Sequence, residues 1–125
     1  SVSASTSYLM VLFTVLLTVY AQLALKWRVL LAGPPPAALP SKATFYLTLL
    51  LDPWVLSTFA AAFVAALCWM TAMMKLDISK AYPFMALNFV LVGLLAVPFF
   101  GESMTWQKIG GLALIVAGLL LTGRG

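Results

Sequence analysis

The sequence predicts an all-α integral membrane protein: four transmembrane helices, with a short interfacial helix between the first and the second. Three observations carry this. The chain has 125 residues, 64% of them apolar and 8% charged, which is more hydrophobic surface than a soluble domain of that size can bury. The apolar residues gather into four runs, Tyr8 to Leu25, Trp54 to Met74, Ala81 to Phe100 and Ile109 to Thr122. A helix rises ~1.5 Å per residue, so runs of roughly 17 to 25 residues cross the hydrocarbon core. The fourth run reaches that length once Trp106 and Gln107 extend it. No run alternates apolar with polar residues at period two, which argues against a transmembrane barrel.

The elements follow in order, as a single domain over residues 1–125. The first helix is expected over about 8–26. It is too long for a signal-peptide core, lacks a basic leader, and is followed by Lys26, Trp27 and Arg28 instead of a small-residue cleavage site, so it reads as a permanent span. Gly33, Pro34, Pro35, Pro36 and Pro40 cannot continue a helix and form the longest loop. The apolar segment at about 43–51 is too short to cross and reads as interfacial, with Tyr46 near the headgroups. Asp52 and Pro53 form an N-cap and first-turn proline for the second span, about 54–74. The third and fourth spans are expected at about 81–100 and 106–122. Short loops join spans two to four, so consecutive helices are antiparallel neighbours. Pro83 reads as a first-turn proline of the third span, because Lys80 to Tyr82 lie at its boundary, with a kink as the alternative. No internal repeat is evident, so any symmetry must come from a second chain.

The net charge of +4 is spread over helix ends and loops, which does not suit a nucleic-acid partner. With four alternating spans, Lys75, Lys80 and Arg124 fall on one membrane face and Lys26, Arg28, Lys42 and Lys108 on the other. The positive-inside bias is therefore weak. Two readings stay open: copies inserted in both orientations that pair antiparallel, or snorkelling cations with the orientation set by a partner. A single cysteine, Cys68, excludes an internal disulfide, and with no histidine and no cluster of acidic or thiol groups neither a metal nor another cofactor is expected. No nucleotide-binding motif is present, so coupling to ATP is not expected.

The polar groups within the spans are few, and each needs an account. Thr14, Thr18, Gln22 and Lys26 recur at steps of four along the first helix and form a slowly drifting stripe. The threonines are expected to bond to their own backbone carbonyls. Gln22 carries four hydrogen-bonding sites and is expected to face a cavity or a subunit interface. Asn88 lies well inside the third run, where an unpaired amide costs roughly 2 to 7 kcal/mol. Its partner stays open between Gln22, a backbone group, a substrate hydroxyl and the same residue of a second copy. Trp69, Tyr82 and Trp106 read as interface anchors or as aromatics beside a sugar or cation site. Asp52, Asp77 and Glu102 all lie at helix ends or in loops, so the spans lack the acid that a proton-coupled exporter of cations needs. Cations at both ends suit an anionic headgroup such as a phosphate instead. Gly110, Gly111, Ala113, Ala117 and Gly118 give the fourth helix a small-residue surface for close helix contact, within the chain or between chains.

The segment AYPFMALNFVLVG, continuing to FFGESMTWQKIGGLALIVAGLLL, together with AQLALKW at 21–27, resembles the small multidrug resistance branch of the drug/metabolite transporter superfamily. Within it, the chain is most similar to the aminoarabinose-phosphoundecaprenol flippase subunits. Where the drug exporters of that branch carry a glutamate on the first helix, this chain has Thr18. Where they carry a tryptophan three residues after the tyrosine of the third helix, it has Met85. Both departures weigh against drug antiport.

The resemblance implies a non-enzymatic flippase of the bacterial inner membrane, moving a polyprenyl-phosphate-linked sugar while the lipid tail stays in the bilayer. It also implies a homodimer, or a heterodimer with a related small subunit. On this reading Lys26, Arg28 and Lys80 contact the phosphate, and Thr18, Gln22, Trp69, Tyr82 and Asn88 line the headgroup path. Two alternatives are kept: a small-molecule exporter working without the usual glutamate, and a non-transporting subunit of a membrane glycosyltransferase.

Overall fold

The computed structural model describes residues 3–125, which form six α-helices and one 3₁₀ segment; all but the short second helix belong to four stretches long and apolar enough to cross a membrane. Helix α1 (Ala4–Ala32) begins at Ser3, whose hydroxyl accepts from the Thr6 N–H. It runs six residues beyond the apolar stretch predicted for it, because Trp27 to Ala32 are sound helix formers and only Gly33, at φ 75°, stops them. The Pro-rich loop leads into α2 (Ser41–Leu50), the short helix expected between the first two spans. Helix α3 (Pro53–Met73) starts on Asp52, whose carboxylate accepts from the Trp54 and Val55 N–H groups, with Pro53 in the first turn.

The third span differs from expectation at its start. Helix α4 (Ile78–Ala81) begins the span ahead of Pro83, and the backbone then tightens to a 3₁₀ segment, Tyr82–Ala86, before α5 (Leu87–Phe100). Pro83 thus sits inside a continuous helical stretch. It has no N–H and its ring crowds the preceding turn, and a 3₁₀ segment is one way to accommodate both. Gly101, at φ 66°, ends α5 in the left-handed conformation, with its N–H on the Val97 carbonyl at 3.0 Å. Thr105 then caps α6 (Trp106–Arg124), its hydroxyl accepting from the Lys108 N–H at 3.2 Å.

The packed centre of the bundle is the antiparallel pair α1 and α3. Ser7, Val11, Thr14, Val15, Val19 and Ala24 form the buried stripe of α1, opposite Val55, Thr58, Ala61, Ala65 and Ala72 of α3. Both stripes follow the helical period, and the residues are small, so the backbones approach closely and gain dispersion contact that lipid does not supply. The closeness is visible at Thr14, whose Oγ1 donates to the Met10 carbonyl at 2.8 Å and lies 3.3 Å from the Ala65 carbonyl of the facing helix. Val11, Ala72 and Ala81 form the buried cluster at one end, covered by Trp69, Met73, Leu76 and Phe84.

The third span lies against α1, and α6 is peripheral, with no buried residue. The face of the bundle that carries α2 is called the α2 face below. The ends of α1 and α5 and the starts of α3 and α6 lie there.

Candidate functional site

Most of the sequence-predicted site residues fall into two groups toward opposite ends of the bundle, with Thr18 and Gln22 of α1 between them. At the α2 face, Lys26 and Arg28 sit in the last turns of α1. Lys26 Nζ lies 3.8 Å from Glu102 Oε2, which ties α1 to the loop between α5 and α6. Both side chains are nearly half exposed, at 48% and 43%, so the pair is loose and exchangeable. Arg28 is held differently. Its Nη2 donates to Asp52 Oδ2 at 2.7 Å, with the two side chains 24% and 18% exposed. The guanidinium also lies 4.9 Å over the Trp27 ring.

Asp52 thus does two things at once: one oxygen caps α3 and the other binds Arg28. The Arg28 hydrogen bond holds its carboxyl below the usual carboxylate range, and the two backbone N–H bonds act in the same direction.

At the other end, Trp69 of α3 meets Tyr82 edge to face, with ring centroids 6.1 Å apart. Tyr82 is exposed, and Lys80 is exposed in the last turn of α4. Asn88, in the first turn of α5, keeps its Oδ1 buried and without a hydrogen-bond partner. The structure therefore leaves open the acceptor that sequence alone marked as costly.

Between the two ends lies the α1 stripe. Thr18 donates to the Thr14 carbonyl at 2.7 Å, the backbone bond expected of it. Gln22, one turn nearer the α2 face, is exposed on the span. The stripe thus leaves the α3 interface at Thr14 and emerges at Gln22 and Lys26. The drift follows from steps of four on a 3.6-residue helix.

One feature of the α2 face was not anticipated from sequence. Tyr20, Leu23, Ala24 and Trp27 of α1, Trp54 of α3, and Phe99 and Phe100 of α5 line a groove of about 440 Å³. The four α1 residues are spaced i, i+3, i+4 and i+7, so the face was legible in principle. Trp54, Phe99 and Phe100 come to it only through tertiary packing. Trp27 and Trp54 meet edge to face at 5.3 Å. Tyr20 is tied across to α3 through Ser57 at 2.6 Å. Ser57 Oγ in turn donates to the Trp54 carbonyl at 2.6 Å, so Tyr20 is the donor to Ser57. Among the described residues, no cluster of acidic or thiol side chains is placed to hold a metal.

The arrangement is a membrane bundle with cations at both ends, apolar spans and an aromatic groove at one mouth. The sequence profile of the EamA-like transporter family matches residues 1–124. This chain belongs to that family. The resemblance to the drug/metabolite transporters read from the AYP and LNF elements is therefore borne out.

Among relatives of this EamA-like chain, a Pseudomonas aeruginosa protein named "Probable 4-amino-4-deoxy-L-arabinose-phosphoundecaprenol flippase subunit ArnE" is 36% identical over 120 residues, covering 92% of this chain and 95% of the relative. A Sodalis glossinidius protein given the same name as subunit ArnF is 40% identical over 119 residues, covering 88% and 85%. An Erwinia tasmaniensis ArnF of that name is 36% identical over 116 residues, covering 90% and 91%. No solved structure matches the chain.

Proposed function

We propose that this chain is a subunit of a flippase that carries a polyprenyl-phosphate-linked sugar between the leaflets of the bacterial inner membrane. The observation that carries the reading is the layout of charge: Lys26 and Arg28 at one end of the bundle, Lys80 at the other, and no carboxylate in the spans between them. An anionic headgroup meets a cation where it enters and where it leaves, and no fixed negative charge repels it on the way. The names of the ArnE and ArnF relatives point to the same substrate class. The substrate is moved and not chemically changed, so no catalytic group is assigned.

The roles follow from the surroundings of each residue. Lys26 is the exchangeable cation at the α2 face, where a phosphate displaces the loosely held Glu102 carboxylate. Arg28 adds positive field there while staying bound to Asp52. Lys80 receives the phosphate at the other end. The exposed Gln22 offers hydrogen bonds to sugar hydroxyls, and the buried, unpartnered Oδ1 of Asn88 is an acceptor still to be satisfied. Thr18 borders that path, and the edge-to-face pair of Trp69 and Tyr82 presents aromatic surface to the sugar's apolar faces.

A second chain completes the path, either a copy or a related small subunit. Two features of this chain support pairing: Gln22 is exposed at membrane depth, and a Cβ added at Gly110, Gly111 or Gly118 of α6 would meet nothing within 4 Å.

Transport of a polyprenyl-phosphate sugar in liposomes tests the phosphate assignment. Lys26→Ala and Lys80→Ala are each expected to slow flipping, and full activity in both variants overturns the assignment. One observation favours a second reading, a small-molecule exporter: the aromatic groove also suits a flat organic cation. Growth in the presence of toxic cationic compounds separates the two, because only an exporter protects the cells.

A further inference from the structure

We infer that the aromatic groove at the α2 face is a docking site for the isoprenoid chain of a phosphate lipid, holding the units next to the phosphate. The inference deepens the transport reading and rests on it for the phosphate. The groove itself is built within one chain, from the ends of α1 and α5 and the start of α3.

Three observations lead to this occupant. The first is the lining: five of the seven residues around the groove of about 440 Å³ are aromatic, namely Tyr20, Trp27, Trp54, Phe99 and Phe100. A cavity of that size with apolar walls takes an apolar ligand segment and orients it through a few polar groups at its edge.

The second is charge. Arg28 lies 4.9 Å over the ring of the lining residue Trp27 and its partner Asp52 begins the helix that carries Trp54, while Lys26 precedes Trp27 in the chain and its loosely held partner Glu102 follows Phe100 by two residues. An apolar groove with an exchangeable lysine near its lining complements a molecule with a phosphate at one end and hydrocarbon beyond it.

The third is stiffness. Each isoprene unit contains a double bond that does not rotate, so an isoprenoid chain loses less rotamer freedom on binding than a saturated chain of equal length. The walls are themselves braced by the Trp27–Trp54 contact at 5.3 Å and the Tyr20–Ser57 bond at 2.6 Å. A braced aromatic slot therefore selects the stiffer, branched chain over the ordinary acyl chains that surround it.

The test uses the full chain in phosphatidylcholine nanodiscs, titrated with geranylgeranyl phosphate and, separately, with octadecyl phosphate. Leu23→Trp fills the groove and Phe100→Ala removes a wall, so the two variants perturb it in opposite ways. Each is expected to weaken geranylgeranyl phosphate binding about tenfold, and the wild type is expected to bind octadecyl phosphate about tenfold more weakly than the prenyl phosphate. A diazirine on the first isoprene unit is expected to label peptides containing Trp54, Phe99 or Phe100. Unchanged prenyl phosphate affinity in both variants, or equal affinity of the wild type for the two chains, overturns the inference.

The two readings fail separately. A wild type that flips the sugar-linked lipid, with groove variants of full prenyl phosphate affinity, sinks the groove and leaves transport standing. A wild type that labels in the groove but accelerates no flipping sinks transport and supports the groove.

Discussion

Lys26 Nζ and Glu102 Oε2 lie 3.8 Å apart, joining the end of α1 to the loop that enters α6. Both side chains are nearly half exposed, so the pair contributes little to stability. Its consequence lies in what else Lys26 can bind. Glu102→Gln frees the lysine and is expected to tighten binding of a prenyl phosphate several-fold while leaving thermal stability within about 0.5 kcal/mol of the wild type. Phosphate-lipid titration together with thermal unfolding in detergent checks both parts.

Arg28 and Asp52 form a more structural pair, because the same carboxylate caps α3. Asp52→Asn keeps an N-capping residue but removes the charge facing Arg28, and is expected to lower the unfolding temperature. The pH dependence follows from the depressed pKa of Asp52 in the folded chain. Its contribution is complete above the ordinary carboxylate range and is lost as the pH falls through the depressed value. Acid unfolding of the wild type should therefore show a loss of stability at low pH that is reduced in Asp52→Asn.

Asn88 carries a buried Oδ1 with no partner. Replacing it by an apolar side chain of similar size removes an unsatisfied group, so Asn88→Leu is expected to leave the isolated chain as stable as the wild type or more so, by up to about 1–3 kcal/mol. The same variant should lose transport if a substrate hydroxyl or a second chain supplies the missing donor. A variant that is both less stable and fully active contradicts this account of Asn88.

The α1–α3 interface and the α6 surface should respond oppositely to added bulk. Ala65 is buried against α1 close to Thr14, so Ala65→Leu overpacks the interface and is expected to cost about 1–3 kcal/mol. At Gly118 a new side chain meets nothing within the chain. Gly118→Leu should keep the monomer's stability and reduce crosslinking between chains.

The four spans and the helix between the first two were legible in the sequence because lipid imposes a long apolar run on each crossing element. The Asp52–Pro53 start of α3 was legible for a local reason, since capping depends on adjacent residues. The backbone bond of Thr18 was legible on the same grounds. The start of the third span was not: whether Pro83 opens a helix or sits inside one depends on the packing of Ala81 against Val11 and Ala72, which brings Ile78–Ala81 into the span.

The candidate site was only partly legible. Spacing placed Thr18, Gln22 and Lys26 on one stripe, but it could not supply the partners of the cations. Glu102 is far from Lys26 in sequence and Asp52 is far from Arg28, and only the antiparallel fold brings each pair together. The groove was hidden for the same reason, because three of its aromatic walls belong to helices other than α1.

The central claim is tested most directly by reconstituting the purified chain, with a related small subunit where pairing requires it, into liposomes holding a polyprenyl-phosphate sugar, and timing the appearance of the sugar at the outer surface. The account predicts flipping well above that of protein-free liposomes, slowed about tenfold by Lys26→Ala and largely kept by Lys26→Arg, which preserves the charge. Flipping no faster than in protein-free liposomes, or Lys26→Ala as fast as the wild type, contradicts it.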